Sequence, residues 1–116
     1  MSQHANLTPG RWSAFSRDQQ ILMIGNEMSR GNHLLRIGDL PGLQRVYERV
    51  LRLVDLTVEV QTAYGLRREL LRWRDLIAEL FIASEPHAAQ HRDAFRALLL
   101  MTPAAASQIP YVLTES

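Results

Sequence analysis

Apolar positions recur along the middle of the chain with the period of an α-helix. In the first such segment, Ile21, Gly25, Met28, Asn32 and Leu35 follow one another at steps of four and three, which places them on one helical face. Three later segments show the same spacing, in stripes that comprise Leu43, Val46, Tyr47, Val50, Val54 and Val58, then Leu66, Leu70, Trp73, Ile77 and Leu80, then Ala88, Phe95, Leu98 and Leu99. No segment alternates convincingly as a strand does, so the pattern predicts an all-α protein with four amphipathic helices.

Capping residues set the limits of the first two helices. Ser16 is placed to cap the first helix, and Gln19, three residues later, completes a capping box. Gly38 is a helix-ending residue, while Asp39 suits the cap of the second helix and Pro41 suits its first turn.

The boundary between the second and third helices is less clearly marked. We interpret Gly65 as the end of the second helix, although a single continuous helix through this glycine is the alternative. The third helix is then predicted from Leu66 to Ala83, and Ser84 is predicted to cap the fourth.

Short connections between helices favour antiparallel neighbours, so the predicted fold is a four-helix up-down bundle. The bundle spans residues 16–101 and lies between an irregular N-terminal arm, residues 1–15, and a C-terminal tail, residues 102–116. Within the arm, Trp12 and Phe15 are apolar enough to attach it to the core.

Charge and composition exclude several classes of function. All 13 basic residues are arginine, yet the formal net charge is only +1 because acidic residues are interleaved with them. This balance predicts no nucleic-acid binding and no membrane-surface role. The sequence lacks cysteine and shows neither an apolar leader nor a membrane-spanning run, so the expected location is the cytoplasm.

Candidate metal ligands are few. No mid-helix glutamate is followed three residues later by histidine, as a di-iron bundle requires. His87 and His91 lie one helical turn apart, a spacing that can chelate zinc, but Ala88 stands where a zinc protease needs glutamate. We interpret both histidines as surface groups, and predict no cofactor and no catalytic residues.

A small polar pocket is the one alternative site that the sequence offers. Glu27, Arg30, Asn32 and His33 are polar residues close together on the first helix, and Asn32 lies on the apolar stripe itself. If these side chains converge between helices, they predict a ligand-binding or enzymatic bundle. A buried amide that bonds to neighbouring backbone is the simpler interpretation of Asn32, and we prefer it.

The segment from Gly31 to Asp55 resembles a single degenerate tetratricopeptide repeat (TPR), a helix–turn–helix unit. Gly31, Gly38 and Tyr47 fall on the glycine, turn-glycine and aromatic positions of that motif, whereas Asp55 replaces its closing proline. The resemblance implies that the first two helices pack as a TPR-like hairpin. One repeat without neighbours cannot build the family's peptide groove.

The longer runs "ILMIGNEMSRG", "YERVLRLVDLT" and "RRELLRWRDLIAELF" resemble those of small bacterial all-helical proteins that carry no assigned activity. The expected function is therefore a non-enzymatic interaction or adaptor module, with a chaperone-like role as one form of it, that uses a helix face to bind a protein or a second copy of itself. The polar pocket described above remains the alternative.

Overall fold

Every regular element that the computed structural model describes, over residues 7–113, is a helix. In chain order the helices are α1 (Pro9–Trp12), α2 (Arg17–Ile37), α3 (Leu40–Val60), α4 (Tyr64–Ile82), α5 (Ala88–Leu99), α6 (Pro103–Ala106) and α7 (Ile109–Val112). The all-α prediction is confirmed. None of these helices is long and apolar enough to cross a lipid bilayer.

The predicted caps at the two ends of α2 and at the start of α3 are present. The Ser16 hydroxyl accepts the backbone N–H of Gln19 at 3.1 Å, and the Gln19 side chain accepts the Ser16 N–H at 2.8 Å. Gly38 ends α2 in the left-handed conformation, with φ of 73°, which suits a residue without Cβ. The Asp39 carboxylate then accepts the Gly42 N–H at 2.9 Å.

Two predicted boundaries are wrong. Gly65 does not end the second helix, because α3 stops at Val60 and Gly65 lies in the first turn of α4. Gln61 leaves the helical conformation, and its side-chain amide donates to Gln20 of α2 at 2.6 Å. Ser84 caps nothing, since α5 begins only at Ala88. A proline disfavours helical backbone in the residue before it, so Pro86 delays the start of that helix.

Each of the four long helices, α2 to α5, packs against the next one in the chain. Contacts from α2 to α3 pair Gln20 with Gln61 and Glu27 with Arg49, so the two helices are antiparallel. The indole of Trp73 on α4 bonds to a carbonyl oxygen of α5. Helix α5 also packs along α2, which closes a ring of long helices around a shared apolar core.

Segments that the sequence predicts as irregular contain short helices. Trp12, in α1, is fully buried, and its indole N–H donates to Thr57 at 2.9 Å. Thr102 caps α6, and Ala105 of that helix is buried. The division into arm, bundle and tail stays a prediction, and residues 1–6 and 114–116 lie outside the described residues.

Candidate functional site

A buried hydrogen-bond cluster joins three of the long helices. His91 of α5 is fully buried, with Nδ1 2.8 Å from the Tyr47 hydroxyl of α3 and Nε2 2.8 Å from the Met28 carbonyl oxygen of α2. A carbonyl can only accept, so Nε2 carries the proton that is donated to Met28. In the neutral ring Nδ1 is then an acceptor, and the Tyr47 hydroxyl donates to it.

Burial keeps this cluster uncharged. Desolvation lowers the pKa of His91, although its bond to the Met28 carbonyl acts in the opposite direction. Desolvation also raises the pKa of Tyr47 to about 12. Both groups are therefore neutral at neutral pH, and the cluster serves to hold α5 on α2 and α3.

The prediction that both candidate metal ligands lie on the surface is wrong for His91. Its ring nitrogens are both engaged in hydrogen bonds inside the protein, whereas His87 is exposed at the cap of α5. The two side chains therefore do not share a face open to an ion. Among residues 7–113, no group of three or more histidine, acidic or cysteine side chains is arranged to hold a metal.

The four polar residues of the predicted pocket lie in different environments. Glu27 is 2% exposed and faces α3, where its carboxylate accepts from Arg49 at 2.9 Å. Arg30 is 54% exposed and reaches the other oxygen of Glu27 at 3.4 Å. His33 is exposed, and Asn32 is half-buried on the side of α2 that faces α5 and α7. The structure thus pairs Glu27 with Arg30 but does not bring the four residues into one cavity.

Asn32 instead lines a groove of about 400 Å³ between α2, α5 and α7. We call this the α2–α5–α7 groove, and its walls are formed by Asn32, Leu35, Arg36, Ala88, Arg92, Val112 and Leu113. A second hollow of about 360 Å³ adjoins it through Arg92 and Leu113, and is also lined by Arg96 and Asp93. The two hollows together form an open, amphipathic channel along α5.

Cationic side chains dominate the polar part of this channel. Arg36 and Arg96 are exposed, and Arg92, which also makes a contact within the protein, is half-buried between them. Asp93 is the acidic side chain among the described lining residues of the two hollows, beside the exposed Arg36 and Arg96. Guanidinium groups bind carboxylates through paired hydrogen bonds, while Leu35 and Val112 offer apolar contact. The lining residues that the structure describes include no nucleophile beside a base.

Sequence reasoning missed this groove and the buried position of His91. Arg92 and Arg96 are one helical turn apart, a spacing that signals a shared face. The groove depends, however, on α7, which is a single turn of helix too short to show a periodic pattern. For His91, the available signal was Gly31, a small residue on α2 that leaves space for the imidazole ring to pack closely.

Comparisons with known proteins give one short similarity. No family model matches the chain, and no solved structure matches it. Over 43 residues, 37% of its length, the chain is 44% identical to S-adenosylmethionine:tRNA ribosyltransferase-isomerase from two strains of Caulobacter vibrioides. The chain spans only 12% of the length of those curated relatives.

Proposed function

We propose that this chain is a non-enzymatic protein-interaction module that captures an acidic, partly apolar segment of another protein in the α2–α5–α7 groove. The observation that carries this proposal is the composition of the groove, which combines the exposed guanidinium of Arg36 with the apolar side chains of Leu35, Val112 and Leu113. An extended segment with alternating acidic and apolar side chains meets both kinds of wall.

The size of the channel favours a polypeptide segment over a small anion. Its two hollows, of about 400 Å³ and 360 Å³, share Arg92 and Leu113 and are open to solvent along α5. An inorganic anion would leave the apolar wall unused. A peptide would bury that wall and pair with the exposed Arg36 and Arg96 at the same time, and burial of apolar surface supplies most of the affinity in such contacts.

The buried His91 cluster makes the groove rigid. His91 of α5 bonds to the Met28 carbonyl oxygen of α2. Met28 lies about one helical turn from Asn32, and His91 about one turn from Ala88, both of which line the groove. The two main walls are therefore fixed relative to each other before any partner arrives. Preorganisation of this kind reduces the entropy lost on binding.

The alternative of a polar pocket around Glu27, Arg30, Asn32 and His33 is less well supported. The carboxylate of Glu27 is already engaged with Arg49 and Arg30, and His33 is exposed. An adaptor or chaperone-like role fits the proposal, whereas the TPR-like hairpin and the cytoplasmic location stay predictions of the sequence. The likeness to the ribosyltransferase-isomerase covers too small a part of that protein to support its activity here.

Fluorescence anisotropy tests the proposal directly. The probe is a labelled hexapeptide of alternating aspartate and leucine, and its asparagine–leucine counterpart reports what the negative charge contributes. The aspartate peptide should bind more tightly, with an affinity that falls as salt is raised. Arg36→Glu should weaken binding by roughly tenfold, because an attraction becomes a repulsion.

Arg45→Glu is the matched control, since Arg45 is an exposed arginine of α3 that does not line the groove. It changes the net charge by the same amount and should leave the affinity within about twofold, a difference that screening at physiological salt accounts for. Equal losses for Arg36→Glu and Arg45→Glu would show that the peptide senses overall charge only, and the groove would lose its role.

A further inference from the structure

The outer face of α4 carries a regular stripe in which the large side chains are exposed. Its positions follow steps of four and three residues, the spacing of the seam in a coiled coil. We call it the α4 stripe, and it comprises Tyr64, Arg68, Leu71, Asp75, Ala78 and Ile82. The buried side chains of α4, among them Leu70, Trp73 and Ile77, lie on the opposite face.

Three large apolar members of the α4 stripe are exposed, whereas Ala78 is half-buried. Tyr64 is 76% exposed, Ile82 is 79% exposed and Leu71, near the middle, is 48% exposed. Large apolar side chains at seam spacing lose contact with water when a second helix packs along them. The stripe therefore has the spacing of a helix–helix interface.

We propose that the partner is a second copy of this chain, packed antiparallel along the α4 stripe. The stripe is symmetric about Trp73, since Tyr64 and Ile82 each lie nine positions from it. A two-fold axis at that level places Tyr64 of each copy beside Ile82 of the other. The two Leu71 side chains then lie four positions apart along the axis, roughly 6 Å at 1.5 Å per residue, and meet at the centre.

The charges of the α4 stripe select this direction. In the antiparallel pair, Arg68 of one copy lies three positions, roughly 4.5 Å along the axis, from Asp75 of the other, so opposite charges meet twice. A parallel pair in register would instead set Arg68 against Arg68 and Asp75 against Asp75. Like charges in register are unfavourable, so the antiparallel arrangement is favoured over the parallel pair in register.

Sedimentation equilibrium of the full chain tests this proposal, with a charge exchange to identify the surface. Arg68→Asp alone and Asp75→Arg alone should each weaken the dimer by roughly tenfold, because both pairs become repulsive. The double variant Arg68→Asp/Asp75→Arg should recover the original dissociation constant, as should an equimolar mixture of the two single variants. All these positions are exposed, and thermal melts of each variant check that the fold is retained.

Cysteine pairing tests the direction of packing, since the chain has no cysteine of its own. Mixing Tyr64→Cys with Ile82→Cys under oxidising conditions should give a disulfide-linked heterodimer, while Tyr64→Cys by itself should not pair, because the two sites lie roughly 27 Å apart. A monomer at all concentrations, a dimer indifferent to the charge exchange, or preferred Tyr64→Cys pairing would each overturn the proposal. None of these results bears on the α2–α5–α7 groove, whose peptide binding is measured separately.

Discussion

Replacing Gly31 by alanine tests the close packing of α5 against α2. A Cβ at this position would lie 2.5 Å from Cε1 and 3.0 Å from Nε2 of His91. The ring cannot turn away easily, because Tyr47 and Met28 hold both of its nitrogens at 2.8 Å. Overpacking of this kind costs about 1–3 kcal/mol, and displacing the ring adds the cost of strained buried hydrogen bonds.

Helix propensity acts in the opposite direction and is smaller. Alanine is favoured over glycine inside a helix by about 1 kcal/mol. We therefore expect Gly31→Ala to lower the free energy of unfolding by about 1–3 kcal/mol, with a Tm about 5–15 °C lower. Urea unfolding followed by circular dichroism measures the change.

Gly65→Ala is the matched control for this substitution. Gly65 lies in the first turn of α4, and a Cβ added there would meet no neighbouring atom within 4 Å, so alanine should stabilise the protein by up to about 1 kcal/mol. A double-mutant cycle isolates the cause. In a His91→Ala background the obstruction is gone, and Gly31→Ala should be neutral or stabilising. An equal loss in both backgrounds would refute the steric explanation, as would a stabilising Gly31→Ala in the native sequence.

Three further outcomes follow from the buried side chains. Because burial lowers the pKa of His91, the folded chain binds fewer protons there than the unfolded chain does. The stability due to this residue is thus complete above its ordinary pKa of 6.5 and is lost as the pH falls below that value. The urea midpoints at pH 5 and pH 7 should therefore differ less for His91→Gln than for the native sequence. Arg49→Met should cost about 1–3 kcal/mol in urea unfolding, because the buried Glu27 carboxylate loses its bond to Arg49 at 2.9 Å and keeps the longer one to Arg30 at 3.4 Å; an unchanged midpoint would contradict this. Trp12→Ala should cost about 3–5 kcal/mol, measured in the same way, and an unchanged midpoint would show that α1 is not part of the core.

Local signals predict the long helices well. The Ser16 capping box, Gly38 and Asp39 act through contacts within a few residues, so nearby residues in the sequence are enough to predict them. All three are present in the structure as predicted. The apolar stripes likewise identify core residues such as Val50 and Trp73, which are buried.

Features that depend on tertiary contacts are predicted poorly. His91 lies on the stripe of Ala88, Phe95 and Leu98, at steps of three and four, but its polar side chain near the start of a short helix favours a surface position. Its burial depends on three residues that are distant in sequence. Gly31 leaves space for the ring, and the Tyr47 hydroxyl and the Met28 carbonyl oxygen bond to its two nitrogens. The break after Val60 has the same origin, because Gln61 is held by Gln20 from another helix.

The candidate site could not be predicted from the sequence for a related reason. Asn32 is unusual on an apolar stripe, but sequence proximity groups it with residues nearby in the chain, Glu27 among them. In the structure these two side chains face different helices, and the partners of Asn32 in the groove come from α5 and α7. Asn32 therefore lines a groove whose other walls depend on packing and could not be derived from its neighbours in the sequence.

Nuclear magnetic resonance mapping tests the central claim most directly. Titration of the uniformly ¹⁵N-labelled chain with the alternating aspartate–leucine hexapeptide should shift the amide signals of Asn32, Arg36, Ala88 and Arg92 progressively. Amides around the polar residues Glu27 and Arg49 should stay unchanged. Shifts centred on Glu27, shifts spread evenly over exposed arginines, or no shifts at millimolar peptide would contradict the claim that the α2–α5–α7 groove is the recognition surface.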